Sequence, residues 1–314
     1  MNSNVRKITD GAMMCAIVGL LLVADRWLGG LFSGSFLFAF PLPMVFYSVK
    51  YGMKDSWMVL TAMSLLGFII SGPTMLFYVA SESLLGLIYG SGVHNHKPTE
   101  RLVLSAMLIG ILVNLLSTVV FAAFFGYNLT EDIEFMQNTI NNVASQSGVA
   151  FPDTLMNANT MKTMLVVGAI LTGVLEGYVT HVLSRLMMKR LRLHVEPIKS
   201  LAYYFPPKWT GYLGFAGLMA YEYAMMRPFD NPVVQNACVG LGMLGVFYLV
   251  MFGALFVMLI FRRGGRRSSL LMTLLIFLLI LSAALMMAIA GFLYITTDLH
   301  SRLLGGNSHA EKNV

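Results

Sequence analysis

The chain has 314 residues, 57% of them hydrophobic and only 11% charged, with a mean hydropathy of +0.73. That composition excludes an ordinary soluble domain, whose surface needs far more mixed charge. Lys and Arg number 21 against 15 Asp and Glu, a formal charge of +6 whose distribution along the chain decides what it means.

Nine apolar stretches lie at about 8–28, 34–49, 55–71, 74–90, 102–126, 162–188, 209–226, 234–261 and 269–295. A bilayer core about 30 Å thick needs roughly 20 apolar residues per helix. The pattern therefore predicts an all-α, polytopic transmembrane bundle of eight to nine membrane helices. The first stretch follows Arg6 and Lys7 and meets Asp25 and Arg26 without a small-residue cleavage site, so it is expected to stay as a membrane helix. The second carries Pro41 and Pro43, whose freed carbonyls need protein or water partners, which predicts a segment buried in the bundle.

Cations fall on alternate sides. With the N-terminus inside, the cytoplasmic loops hold Arg6, Lys7, Lys50, Lys54, Lys97, Arg101, Lys189, Arg190, Arg192, Lys199, Lys208, Arg262, Arg263, Arg266 and Arg267, with Arg185 close by. The outer loop of about 127–161 contains Glu131, Asp132, Glu134 and Asp153 but no Lys or Arg. A basic inner face against anionic headgroups accounts for the net charge, and no nucleic-acid partner is expected. Within the outer loop, Thr130 can cap a helix with acids in its first turn and a stripe of Ile133, Met136, Ile140 and Val143. Such a helix either lies at the interface or acts as a lid.

Ionisable groups at membrane depth are functional candidates by default. Glu82 lies in LFYVASESLLGLIYG, Glu176 in AILTGVLEGYVTHVL and Glu222 in AYEYAMM. Asn114 on the fifth stretch, and Tyr178 and His181 after Glu176, complete a candidate ligand-binding set of Glu82, Glu176, Asn114, Tyr178 and His181. The alternative is that these atoms brace helices through internal hydrogen bonds. Asp25 and Arg26 have each other or Glu222 as possible partners. Cys15 and Cys238 sit in apolar stretches, and the histidines lack zinc-ligand spacing, so neither a metal nor a cofactor is expected. No G-x-x-x-x-G-K-[ST], H-E-x-x-H or G-x-S-x-G occurs, and the chain does not read as an enzyme.

The stretch KRLRLHVEPIKSLAYYFPPKW at 189–209 brings charge, prolines and interfacial aromatics. It divides the chain into a six-helix unit (1–190), a basic and aromatic connector (191–208), and three further helices with a tail (209–314).

Across nearly its whole length the chain resembles the YybS-like family of bacterial membrane proteins. The likeness rests on AMMCA, on FLFAFPLPMVFYSVKYGMKDS with Pro41, Pro43, Tyr51 and Gly52, on ISGP, on YFPPKW and on GFLYITTDLHSR. The first six helices also resemble, more distantly, the substrate-binding S components of energy-coupling-factor transporters. That resemblance implies that Ala12 and Ala16, an A-x-x-x-A pair, dock a transmembrane coupling subunit served by an ATPase, and that the 127–161 loop closes over a bound solute. It departs from those proteins in adding three C-terminal helices and in lacking a vitamin-specific signature. Together these readings point to a multi-pass protein of a bacterial inner membrane that binds or transports a small solute. The alternative is a membrane scaffold for envelope-synthesis or signalling proteins, recruiting them through its basic inner loops.

Overall fold

The structure, a computed structural model, describes residues 3–31, 33, 37–124, 129–148, 157–191, 205–263, 278–280 and 282–305. Most of the basic connector (192–204), Asp153, Arg266 and Arg267 lie outside the described residues. The helices are α1 (Ser3–Trp27), α2 (Pro41–Ser71), α3 (Pro73–His94), α4 (Thr99–Phe124), α5 (Leu129–Ser147), α6 (Ala158–Arg190), α7 (Lys208–Met226), α8 (Pro232–Arg263), α9 (Ala284–Thr296) and α10 (Leu299–Gly305). A short 3-10 turn, Leu37–Ala39, precedes α2. Among the described residues, six helices are long and apolar enough to cross a membrane: α1, α2, α3, α4, α6 and α8.

Burial is inverted relative to a soluble protein. Large apolar side chains such as Leu20 and Ile69 face outward, 71% and 76% exposed, while Glu82, Glu176, His181 and Arg185 are buried. Lipid solvates the former as well as a protein core would, and it cannot solvate the latter. The chain is a polytopic helical membrane protein. Its helices group into two compact units, one of Met1–Leu129 with Gly168–Ile198, the other of Thr130–Val167 with Lys199–Val314.

In the first unit, α2 is two arms rather than one rod. Gly52 has φ 75° and ψ −176°, a backbone region that is essentially confined to glycine. The chain reverses there. Residues on either side of it, Tyr47 and Val59, meet at the same glycine of α1, Gly11. The arm 41–51 runs parallel to α3, with Pro41 beside Gly86 and Val45 and Ser48 beside Gly90. The arm 53–71 runs antiparallel to α3, with Gly67 against Met75 and Val79 and with Ser83 against Met63. Reversal frees the Val49 carbonyl, which accepts a 2.9 Å hydrogen bond from His94 Nδ1. Lys7 pairs with Asp55 at 2.6 Å and Lys50 with Asp10, holding the N-terminal end of α1 beside the reversal.

The first arm is short. Its 11 residues rise about 16 Å, roughly half a bilayer core, and it begins about 20 Å along α3 from Pro73. Pro41 and Pro43 are buried, as a proline-started half-helix inside a bundle requires. Val18, Leu22, Phe40, Met44, Met63, Val79 and Leu87 form the core between α1, both arms and α3.

The second unit is built on α7, α8 and α9. Gly253 and Gly291 let α8 and α9 touch backbone to backbone, and Leu218, Leu249, Phe252, Met287 and Tyr294 fill the core. Phe205 stacks on His300 at 4.0 Å, and Lys208 donates to Asp298 at 2.8 Å. The Lys208 ammonium holds the exposed Asp298 carboxyl below the ordinary carboxylate range. In α5, Ile133 is buried and Met136 and Ile140 are half-buried on one stripe, while Val143 is exposed.

Gly52→Ala is expected to cost about 1–3 kcal/mol, because its Cβ needs a disfavoured backbone and would sit 3.2 Å from the His94 ring. Thermal unfolding in detergent micelles checks this. Gly168→Ala, a helical position with open space around it, is expected to change stability by no more than about 1 kcal/mol, in the stabilising direction.

Candidate functional site

Close backbone approach places the site. A Cβ on Gly110 would lie 2.3 Å from the Gly173 carbonyl oxygen, and one on Gly177 would lie 2.5 Å from Ala106, so α4 and α6 cross with no side chain between them. Asn114, one turn beyond Gly110, then reaches Glu176: its Nδ2 donates to Glu176 Oε2 at 2.8 Å and to the Gly110 carbonyl at 2.9 Å. From α3, Glu82 brings a second carboxyl close to Glu176.

Both glutamates are almost wholly buried. Glu82 Oε2 and Glu176 Oε1 find no N–H or O–H donor among the described groups. Carboxylates only accept, so a hydrogen bond between two of them requires a proton on one. Two bare carboxylates this close at membrane depth repel each other and lack solvation. Tyr78, one turn before Glu82, has a buried hydroxyl with no hydrogen-bond partner among the described residues, and Phe40 packs edge-on against its ring at 5.4 Å.

A second polar layer lies about 10 Å further along α3. Tyr89 OH meets His181 Nδ1 at 2.8 Å with the rings edge to face, and it also contacts Arg185. Arg185 Nη2 donates to Thr99 Oγ1 at 3.2 Å. On the same side of α6, the hydroxyls of Thr180 and Ser184 are fully buried and have no hydrogen-bond partner among the described residues. The buried half of α6 thus carries acid at one level and Arg185 at the next, with two hydroxyls in between.

Of the candidate residues, Glu82, Glu176 and Asn114 come together, and His181 joins the second layer instead. Tyr178 is half-buried and projects about 200° around α6 from Glu176. Asp25 is buried and accepts the Ser33 N–H at 3.0 Å, while Arg26 Nη1 donates to the Ile70 carbonyl at 3.1 Å. Glu222 is half-buried on α7 in the other unit. Ala12 and Ala16 are exposed on α1. Among the described residues, no three His, Cys, Asp or Glu side chains are placed to hold a metal ion. Thr180 follows Glu176 in the sequence as a further polar group, whereas Tyr89 and Ser184 are not among the candidates. The one sequence signal for the hydroxyls is the four-residue spacing of 176, 180 and 184, which keeps them on one side of a helix.

Fold and site define a multi-pass helical membrane protein with a buried, paired carboxyl centre. The chain belongs to the predicted membrane protein family DUF2232, whose model matches residues 30–295. It is also similar to the uncharacterized protein YybS of Bacillus subtilis (strain 168), with 23% identity over 208 residues, 62% of this chain. That alignment spans 65% of the length of YybS. No solved structure matches the chain.

Asn114→Ala leaves Glu176 Oε2 without this donor in a dry setting and is expected to lower stability by about 1–3 kcal/mol. Leu112→Ala, on the exposed face of the same helix, is expected to change it by about 0.5 kcal/mol or less. Parallel melts of the two purified variants check the contrast.

Proposed function

We propose that this chain is a solute-binding subunit of a bacterial inner-membrane transporter, with its N-terminus in the cytoplasm, and that its ligand is a small solute bearing a cationic group. It is a binding protein, not an enzyme. The observation that carries this reading is the buried Glu82–Glu176 pair, with Asn114 fixing one carboxylate oxygen of Glu176. A carboxyl pair that holds one proton is a receptor for a cation. When the cation enters, the proton leaves, and the buried charge stays the same. Tyr78 supplies a further hydroxyl one turn from Glu82.

The sidedness draws support from the ion pairs. Lys7, Lys50 and their partners gather at the end of the unit where α2 reverses, close to His94. Basic residues clustered at one membrane edge mark the cytoplasmic side. Energy for transport comes, in this proposal, from a separate coupling subunit with an ATPase. The exposed Ala12 and Ala16 offer that subunit a face for close helix packing.

The test is thermal stabilisation of the detergent-purified protein by a panel of small organic and inorganic cations. A stabilising cation is expected to bind Glu82→Gln and Glu176→Gln roughly ten- to a hundredfold more weakly. In weakly buffered solution, its binding to the unaltered protein is expected to release about one proton per cation. Equal binding by the Gln variants would overturn the carboxyl assignment. A panel with no stabilising member would favour the scaffold role.

A further inference from the structure

The first unit has a lateral groove of about 670 Å³, separate from the carboxyl pair, between α1, the first arm of α2 and the last turns of α6. Its floor is apolar, formed by Met13, Ile17 and Leu21 of α1, Leu42 and Phe46 of α2, and Met187 of α6. The α1 residues recur at spacings of four along one stripe, so the groove runs with the helix axis. From Asp10 to Leu21 it extends about 16 Å, close to the hydrocarbon depth of about 15 Å for one leaflet. The first arm of α2 forms the facing wall along nearly its whole length, from Leu42 to Tyr51. Met13, Ile17 and Met187 are all substantially exposed.

One end is charged. Arg6, Asp10 and Lys50 line the mouth, two cations against one anion. Asp10 is engaged by Lys50 and by the Tyr51 hydroxyl at 2.5 Å. Lys189 and Arg190 in the last turn of α6 flank Met187 and Leu191, which also line the groove. A slot of this kind, apolar for the depth of one leaflet and basic at its mouth, is complementary to a single lipid with a negative headgroup.

We infer that this groove is a binding site for one anionic glycerophospholipid, its acyl chain lying along α1 and its phosphate meeting Arg6 and Lys50. The lipid comes from the leaflet at the N-terminal end of α1. A volume of about 670 Å³ falls within the ordinary range for ligand sites, about 300–1,000 Å³. The site is independent of the Glu82–Glu176 reading.

Native mass spectrometry of the full chain, released from nanodiscs of mixed phosphatidylglycerol and phosphatidylcholine, tests this. One phosphatidylglycerol is expected to remain bound under activation that strips phosphatidylcholine. Arg6→Gln is expected to lower its affinity about fivefold. Ile17→Trp, which fills the slot with a larger apolar side chain, is expected to abolish the adduct while the melting temperature stays close to that of the unaltered protein. Glu82→Gln is expected to keep it. Equal retention of the two lipids, or retention unchanged in both Arg6→Gln and Ile17→Trp, would overturn the proposal. So would a dimer in place of the lipid adduct, because a second copy would then occupy the groove.

Discussion

Two carboxyl groups that meet at membrane depth repel each other unless a proton, a cation or fixed donors offset their charge. That condition determines how three helices of the first unit must meet. Asn114 has to come from α4, which demands a crossing with α6 close enough to exclude side chains, and Gly110, Gly173 and Gly177 supply it. Glu82 has to come from α3, and the packing of α3 against both arms of α2 holds it there. Uncompensated, one ionised carboxylate in hydrocarbon costs about 2.5–3.5 kcal/mol even on permissive scales. A protein that bore this cost for bracing alone would have a cheaper option in an apolar pair. Retaining two acids in contact therefore points to use.

The reversal at Gly52 is the second organising feature. By folding α2 into two arms it sets both arms against α3, and it collects Lys7, Asp10, Lys50 and Asp55 at one edge of the unit. The first arm also forms one wall of the lateral groove along α1. A single glycine conformation thus links the charge pattern at the membrane edge to an opening on the lipid-facing side. Among its described helices, the other unit has no glycine reversal of this kind. Its helices pack through small residues and aromatic rings around Tyr294.

Much of the fold is legible in the sequence because hydropathy and charge act locally. The cations Lys50 and Lys54 separate two apolar stretches, and the chain does reverse between them, at Gly52. Pro41 and Pro43 argue for a buried, interrupted segment, and both prolines are buried at the start of a half-helix. The acids Glu82 and Glu176 stand out because charge is rare in apolar runs. Their contact is not legible, since it joins residues 94 positions apart through a glycine crossing that looks like many others. Neighbourhood along the chain misleads in the case of Tyr178, which follows Glu176 closely but points away from it. Tyr89, one of six hydroxyl side chains on its helix, has no local mark at all. Only the folded chain sets it against His181 and Arg185. Arg185 itself reads as one more cation near a membrane edge, yet it is buried and donates to Thr99.

A shared proton between Glu82 and Glu176 has a direct spectroscopic signature. Infrared difference spectroscopy of the purified protein at neutral pH, in light and heavy water, reports the C=O stretch of a protonated carboxyl and its isotope shift. A buried protonated-carboxyl band that changes or disappears in both Glu82→Gln and Glu176→Gln is the result expected. No such band, or a band indifferent to both substitutions, would contradict a proton-sharing pair and with it the cation-receptor role.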